Sequence, residues 1–241
     1  MLQPIKDLIQ LTYVLAWLVG YYFQIVVLYK TKTGDGMSID NQLLSFIGVV
    51  DLLYFNTYKL IQLPDFFNVL NFAYAMQYLL LIAFTFGLTL YYPRTHNKFR
   101  YIILTIFAIF VLMTAVYYWL GVIQMNQPIE DFRLFVGLGL SIICMLRFLY
   151  QIALNYDRKS TIGFAIEHII ADITGSVCII ALSLIQYSGE EGTVRNIPLI
   201  VTAFVCLVCG AAILYQHFVL YAEQHDMKNA LALQQDAEIE L

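Results

Sequence analysis

Seven times in 241 residues the chain runs for about 20 residues with almost no charge, at roughly 8–30, 38–60, 66–91, 100–123, 131–154, 163–187 and 196–222. A hydrocarbon core about 30 Å thick takes about 20 residues of helix to cross, and in lipid each helix satisfies its own backbone hydrogen bonds. With 61% of residues hydrophobic and 12% charged, a single soluble core could not present this chain to water. The pattern predicts an all-α membrane protein of seven transmembrane helices, with membrane lipid as its first partner.

Charge orients it. Lys30 and Lys32, then Arg94, Lys98 and Arg100, then Arg158 and Lys159, then Lys228 all fall on one side; the other side holds Lys6, Lys59 and Arg195. Loops rich in Lys and Arg stay in the cytosol, which puts the N-terminus in a lumen and the C-terminus in the cytosol. The lumenal loops are short and acidic (Asp65, Glu130, Asp131, Glu190, Glu191), leaving no soluble domain for chemistry, and no nucleophile and base share a helix at helical spacing. No enzyme is expected, and the net charge of −4 gives no reason for nucleic acid. The apolar run after Lys6 is of full spanning length and lacks a small-residue cleavage site, so it reads as a helix rather than a signal peptide. Cys144, Cys178, Cys206 and Cys209 lie in apolar runs, predicting neither a disulfide framework nor a metal site; Cys206 and Cys209, three apart, read as a soft-metal pair or as small apolar packing.

An internal repeat comes next. Gln24, Lys32, Gly36 and Gly48 recur as Gln151, Lys159, Gly163 and Gly175, always 127 residues on. The fifth helix comes four spans after the first, an even number, so the two halves point the same way. This predicts parallel three-helix repeats, 1–92 and 126–222, joined by a linker span in 93–125 and followed by a polar cytosolic tail, 223–241. Such repeats hold substrate near the midplane between them. Nothing in the pattern specifies an oligomeric state.

A carboxylate inside an apolar helix needs a reason. If the sixth span starts near Phe164, Asp172 lies about 12 Å in, where an ionised Asp costs roughly 2.5 to 3.5 kcal/mol on insertion scales. It must therefore face a protein or water-lined interior, as a proton carrier or as a structural acid held by a hydroxyl or cation; Gly175 leaves room beside it. His168, four residues earlier, shares its face and either relays protons or pairs with Glu167 near the interface. Arg147, counted back from Asn155, lies at a similar depth. It either alternates between Asp172 and a substrate carboxylate or forms a permanent ion pair. Asp51, three residues after Gly48, is a candidate second proton or amine site, with Lys59 or Arg133 as alternative partners. Gln24 and Gln151 are repeat-related intramembrane amides, interhelical glue worth about 0.6 kcal/mol each or parts of a gate. Ser38 is the capping candidate for the second span.

The stretches FQIVVLYKTKTGDGMSID (Phe23–Asp40) and LYQIALNYDRKSTIGFAIEHIIADITGS (Leu149–Ser176) resemble the two loops of the PQ-loop family, most closely its proton-coupled cystine exporters. The resemblance implies a 3+1+3 fold and a secondary transporter that exports cystine or a related amino acid from an acidic lumen, lysosomal, vacuolar or of another endomembrane compartment. It implies protons as the coupling ion, no other cofactor and a small-molecule substrate. Asp172 is thereby put in the proton-accepting position, and Asp40 in that of a loop aspartate in the proton path; His168 and Asp51 join that path by their own placement, Asp51 having no acid counterpart in the family. Arg147, Asn155, His168, Asn56 and Lys159 are put among the substrate contacts. Gln24 and Gln151 are put at the cytosolic gate. Asp40 reads equally as an acid favourable to a helix N-terminus, and Asn155 and Asn56 as helix-end markers. The family's loop prolines are replaced by Phe23 and Tyr150, moving any hinge to Gly20 or to neighbouring packing, and Gly210 stands where the exporters carry an aspartate. Alternatives on the same scaffold are a carrier of another amino acid, for example a cationic one, and a pH-dependent lumenal cargo receptor.

Overall fold

A computed structural model of the chain describes residues 3–62, 69–94, 129–186 and 192–222, with positions 109, 112, 113 and 116. Six α-helices and no strands occur among the described residues: α1 (Gln3–Thr31), α2 (Ile39–Gln62), α3 (Val69–Tyr91), α4 (Ile129–Arg158), α5 (Ile166–Gln186) and α6 (Gly192–Tyr215), the last running into a π-helical turn, Gln216–Leu220. The span expected at 100–123, apart from those four positions, lies outside the described residues, as do the tail beyond 222 and the expected lumenal loops at 63–68 and 187–191.

Five of these helical stretches are long and apolar enough to cross a membrane: Gln3–Thr31, Asn71–Tyr91, Gly137–Arg158, Ile166–Ile185 and Ile197–Leu220. The second predicted span corresponds to α2, at 24 residues long enough to cross; its Asp40, Asn41, Gln42, Asp51 and Asn56 are buried against the other helices. The outward faces are apolar: Leu8 is 64% exposed, Phe204 63% and Leu184 71%. A surface of that kind belongs in lipid rather than water.

The halves pack alike. In each, the third helix lies against the other two: α3 against α1 and α2, α6 against α4 and α5. Across the halves α1 packs on α5 and α2 on α4. The core runs through Leu18, Tyr21, Ile82, Phe148, Ile169 and Ile213. Pro198, inside α6, packs where Gly137 of α4 leaves no side chain in its way. The Pro198 carbonyl accepts from the Ser141 and Thr202 hydroxyls at 3.0 and 2.9 Å, the first of these bonds tying α6 to α4.

The two loops between the first and second helices of each half are built on one plan. Lys32 and Lys159 both adopt left-handed backbone (φ 53° and 51°), ending α1 and α4. Ser38 Oγ accepts from the Asn41 N–H at 3.3 Å, capping α2 as its position predicts. Acids occupy the same place in the first turn of both following helices, Asp40 in α2 and Glu167 in α5, where the helix dipole favours them.

Candidate functional site

At the loop end of the bundle the halves grip one another through two glutamines. Gln24 of α1 reaches the second loop: its Nε2 donates to the Gly163 carbonyl at 3.2 Å and its Oε1 accepts from the Ala165 N–H at 2.8 Å. Gln151 of α4 does the same to the first loop, donating to the Gly36 carbonyl at 3.0 Å and accepting from the Ser38 N–H at 2.8 Å. All six positions obey the 127-residue offset. An amide carries one donor side and one acceptor side, so a single side chain satisfies a peptide C=O and the N–H two residues on. Between the glutamines Gly36 and Gly163 meet backbone to backbone, and a Cβ on Gly36 would collide with Gly163; Gly163 also needs its positive φ of 87°.

Behind Gln151 the amides continue. Its Nε2 also donates to Asn155 Oδ1 at 3.0 Å, Asn155 donates to Gln216 Oε1 at 3.1 Å, and Gln216 donates to the Ile152 carbonyl at 3.0 Å. Asn155 is therefore a fully buried strut between α4 and the π-helical turn that presents Gln216, and does not line the cavity below.

That cavity, about 120 Å³, lies between the halves beyond the clasp, and a single ordered water needs only about 10–15 Å³. One wall is aromatic: Trp17 of α1 with Tyr74 and Tyr78 of α3, whose rings stack at 5.3 Å. The other is ionic. Arg147 Nη2 on α4 lies 3.1 Å from Asp172 Oδ2 on α5, and the guanidinium also donates to Tyr78 Oη at 3.2 Å and, at the limit of reach, to Ser45 Oγ at 3.5 Å. The depth count that set Arg147 beside Asp172 is thus met. Removing one partner of such a buried pair costs about 3–5 kcal/mol, because the other charge is left uncompensated. Two donors on this cavity wall, Trp17 Nε1 and Arg147 Nε, have no hydrogen-bond acceptor among the described residues.

His168 is buried behind Asp172 rather than on the cavity wall, its Nε2 3.6 Å from Oδ2. Its ring stands edge-on to Tyr21 at 4.5 Å and fills the space left by Gly20, where a Cβ would lie 3.4 Å from it. Gly20, expected as a hinge, is where α1 makes room for this imidazole. Glu167 is exposed and points elsewhere, so the alternative pairing of His168 with it does not occur.

The remaining predicted residues lie apart from this centre. Asp51 is buried in α2 with Oδ2 lacking a hydrogen-bond partner among the described residues; the side chains of its suggested partners, Lys59 and Arg133, lie outside the described residues. Asn56 bonds back to the Leu52 carbonyl at 2.8 Å, a local helix contact away from the cavity. Lys159 is an exposed turn residue ending α4. Asp40, buried at the start of α2, stays within the loop end. Gly210 lies against Ile173 and Ile169 of α5, where a Cβ would stand 3.0 Å from Ile173 and oblige that side chain to shift by a few tenths of an ångström.

Sequence reasoning passed over Trp17, Tyr74 and Tyr78, and reaches Ser45 only as the repeat counterpart of Asp172. The same offset makes Trp17 the counterpart of Cys144. Both counterpart pairs line the one cavity.

Residues 134–190 match the family model described as PQ loop repeat. Along most of its length the chain is similar to Cystinosin of Drosophila melanogaster (27% identical over 196 residues, 72% of this chain) and to the Cystinosin homolog of Arabidopsis thaliana (25% over 223 residues, 88% of this chain). It is also similar to the Cystine transporter of Saccharomyces cerevisiae, 24% identical over 261 residues. The chain spans 46% of the Drosophila protein's length, 78% of the Arabidopsis one's and 99% of the yeast one's.

Proposed function

From a chain that carries a PQ-loop repeat and is related to cystinosins and a cystine transporter, we propose a secondary transporter that moves cystine or a related amino acid from an acidic organelle lumen to the cytosol with a proton. The observation that carries this reading is the Arg147–Asp172 ion pair on the wall of a cavity between two like halves, with the far end closed by the glutamine clasp. In this reading the N-terminus is lumenal, the clasp is the cytosolic gate and the fold is 3+1+3, with the linker span in 93–125.

A substrate carboxylate competes with Asp172 for Arg147, taking the guanidinium edge and the indole N–H of Trp17, two donors otherwise without acceptors. Asp172 stripped of its cation is a buried unpaired charge, at a cost of about 3 kcal/mol or more, equivalent to roughly a hundredfold bias. Taking up a lumenal proton removes that cost. Substrate binding and protonation therefore favour one another, which is the thermodynamic content of symport. With the carboxyl neutral and Arg147 engaged, the halves rock apart at the loop end, the clasp and its Gly36–Gly163 contact part, and the solute leaves on the cytosolic side. His168 stands behind Asp172 as the group through which the proton leaves; Asp51 is a second acid in the same path.

The test is counterflow of radiolabelled cystine, lysine and glucose in proteoliposomes acidic inside and neutral outside, for wild type and Asp172→Asn. Cystine flux driven by the pH gradient in wild type, with the dependence on that gradient gone in Asp172→Asn, supports the assignment. Lysine flux alone moves the substrate to a cationic amino acid, and absence of any flux moves the protein to a pH-dependent cargo receptor.

A further inference from the structure

Two of the four free cysteines face one another in the cavity wall. Cys144 of α4 and Cys206 of α6 are 62 residues apart in sequence, yet their sulfurs lie 3.4 Å apart, and both line the cavity that holds Arg147 and Asp172. A disulfide bond needs about 2.05 Å, a closure within the reach of the two side chains. Arg147, one turn along α4 from Cys144, shares the same wall, and a cation beside a thiol favours the thiolate, the form that attacks disulfides. Neither sulfur is needed to seat the ion pair or the clasp, so the mechanism above leaves this pair unused.

We infer that the Cys144–Cys206 dithiol exchanges with a small disulfide held in the cavity, reducing it to two thiols. The chemistry balances without a further reagent. The Cys144 thiolate attacks one sulfur of RS–SR, the S–S bond breaks, and RS⁻ leaves and takes the proton given up by Cys144, yielding RSH and a Cys144–S–S–R mixed disulfide. Cys206 then attacks Cys144 Sγ, forms the Cys144–Cys206 bond and releases the second RSH. The protein dithiol loses two electrons and two protons, and the disulfide gains them. The cross-link ties α4 to α6 within one half, so it changes the cavity wall and leaves movement between the halves free. The inference rests on the transporter reading only in naming cystine as the disulfide that enters.

The full chain, purified reduced and freed of reductant, is exposed separately to cystine and to uncharged bis(2-hydroxyethyl) disulfide, then quenched by acid and read by intact mass, free-thiol count and peptide mapping. Expected with both reagents is a fall from four free thiols to two, a loss of two hydrogens and a mapped Cys144–Cys206 bridge. Cys206→Ser should stop at the mixed disulfide, gaining the mass of one half-cystine on Cys144; the wild-type result stands even where that variant fails to fold. Bridging by the uncharged reagent alone upholds the exchange while counting against cystine as the solute. Four surviving thiols with both reagents, or oxidation confined to Cys178 or to a pair other than Cys144 and Cys206, overturns it.

Discussion

Replacing Gln24 by leucine removes two hydrogen bonds from the clasp, those to the Gly163 carbonyl and the Ala165 N–H, and leaves the two made by Gln151 in place. Intramembrane hydrogen bonds average about 0.6 kcal/mol each, so the closed gate loses about 1.2 kcal/mol. When the gate parts, the loop amides meet water whichever residue stands at 24, so nearly all of the loss falls on the closed state. The open population then rises about eightfold. Hydrogen exchange followed by mass spectrometry reads this directly, because protected amides exchange through opening. The Ala165 amide is no measure, since it has lost its acceptor in the closed state too. The informative peptide is the opposite loop, residues 33–38, whose own bonds to Gln151 are intact. If the clasp opens as one unit, Ser38 exchanges about eightfold faster in Gln24→Leu, and the residue 160–165 loop accelerates at least as much in Gln151→Leu, which also loses the bonds to Asn155 and Asn41. An unchanged 33–38 loop in Gln24→Leu would refute the concerted gate and leave two independent local contacts.

The ion pair gives a second expectation: Arg147→Gln and Asp172→Asn each lower thermal stability by about 3–5 kcal/mol, while the double variant, with neither charge left, recovers most of it, as melting of the detergent-solubilised chain would show. Gly175→Ala would bring a Cβ to 2.5 Å from Trp17 Nε1, displacing the indole from the cavity wall; the chain should fold with near-native stability but lose substrate affinity at least tenfold in the counterflow assay. Asp51→Asn should shift the pH dependence of uptake without abolishing it, and an unchanged profile would remove Asp51 from the proton path.

Much of this arrangement is legible in the chain because membrane helices announce themselves by length and composition alone. The described helix ends fall within a few residues of the runs read from sequence, α3 at 69–91 against an expected 66–91. The repeat was legible for a different reason. Glycine and glutamine at a fixed offset are residues whose backbone or amide geometry matters, and both glutamines meet the same two peptide groups of the opposite loop. Depth along a helix also placed Arg147 beside Asp172. Facing direction could not be read this way. Among 18 tyrosines and 17 phenylalanines, nothing local distinguishes Tyr74 and Tyr78 from aromatics that meet lipid, and the sulfurs of Cys144 and Cys206 come together only through the packing of α4 on α6. Asn155 and Lys159 read as substrate contacts from the positions they resemble, whereas Asn155 is held by a tertiary contact to Gln216 and Lys159 by the local turn that ends α4.

Gln24 and Gln151 with Gly36 and Gly163, matched between the halves, build the clasp, and positions where the halves differ set the character of the cavity walls. Gln24 and Gln151 or Gly36 and Gly163 grip backbone and are indifferent to a solute. Trp17 opposite Cys144 and Ser45 opposite Asp172 make one wall aromatic and the other ionic. Coupling needs a link between the two, and the structure holds one: Arg147 donates to Ser45 Oγ, Ser45 bonds Asn41, and Asn41 Nδ2 donates to Gln151 Oε1 at 3.4 Å. A guanidinium drawn toward a substrate carboxylate releases Ser45, which frees Asn41 to leave Gln151 and weakens the clasp on that side. Spatial continuity alone does not demonstrate coupling, so the decisive measurement is a double-mutant cycle. Asn41→Ala removes the middle of the link while leaving the ion pair and the backbone bonds of both glutamines intact. Combined with Asp172→Asn, its effect on Ser38 exchange should be non-additive by about 0.5–3 kcal/mol, the range for residues in one network. Additive effects would mean that the gate and the ion pair respond to the solute separately.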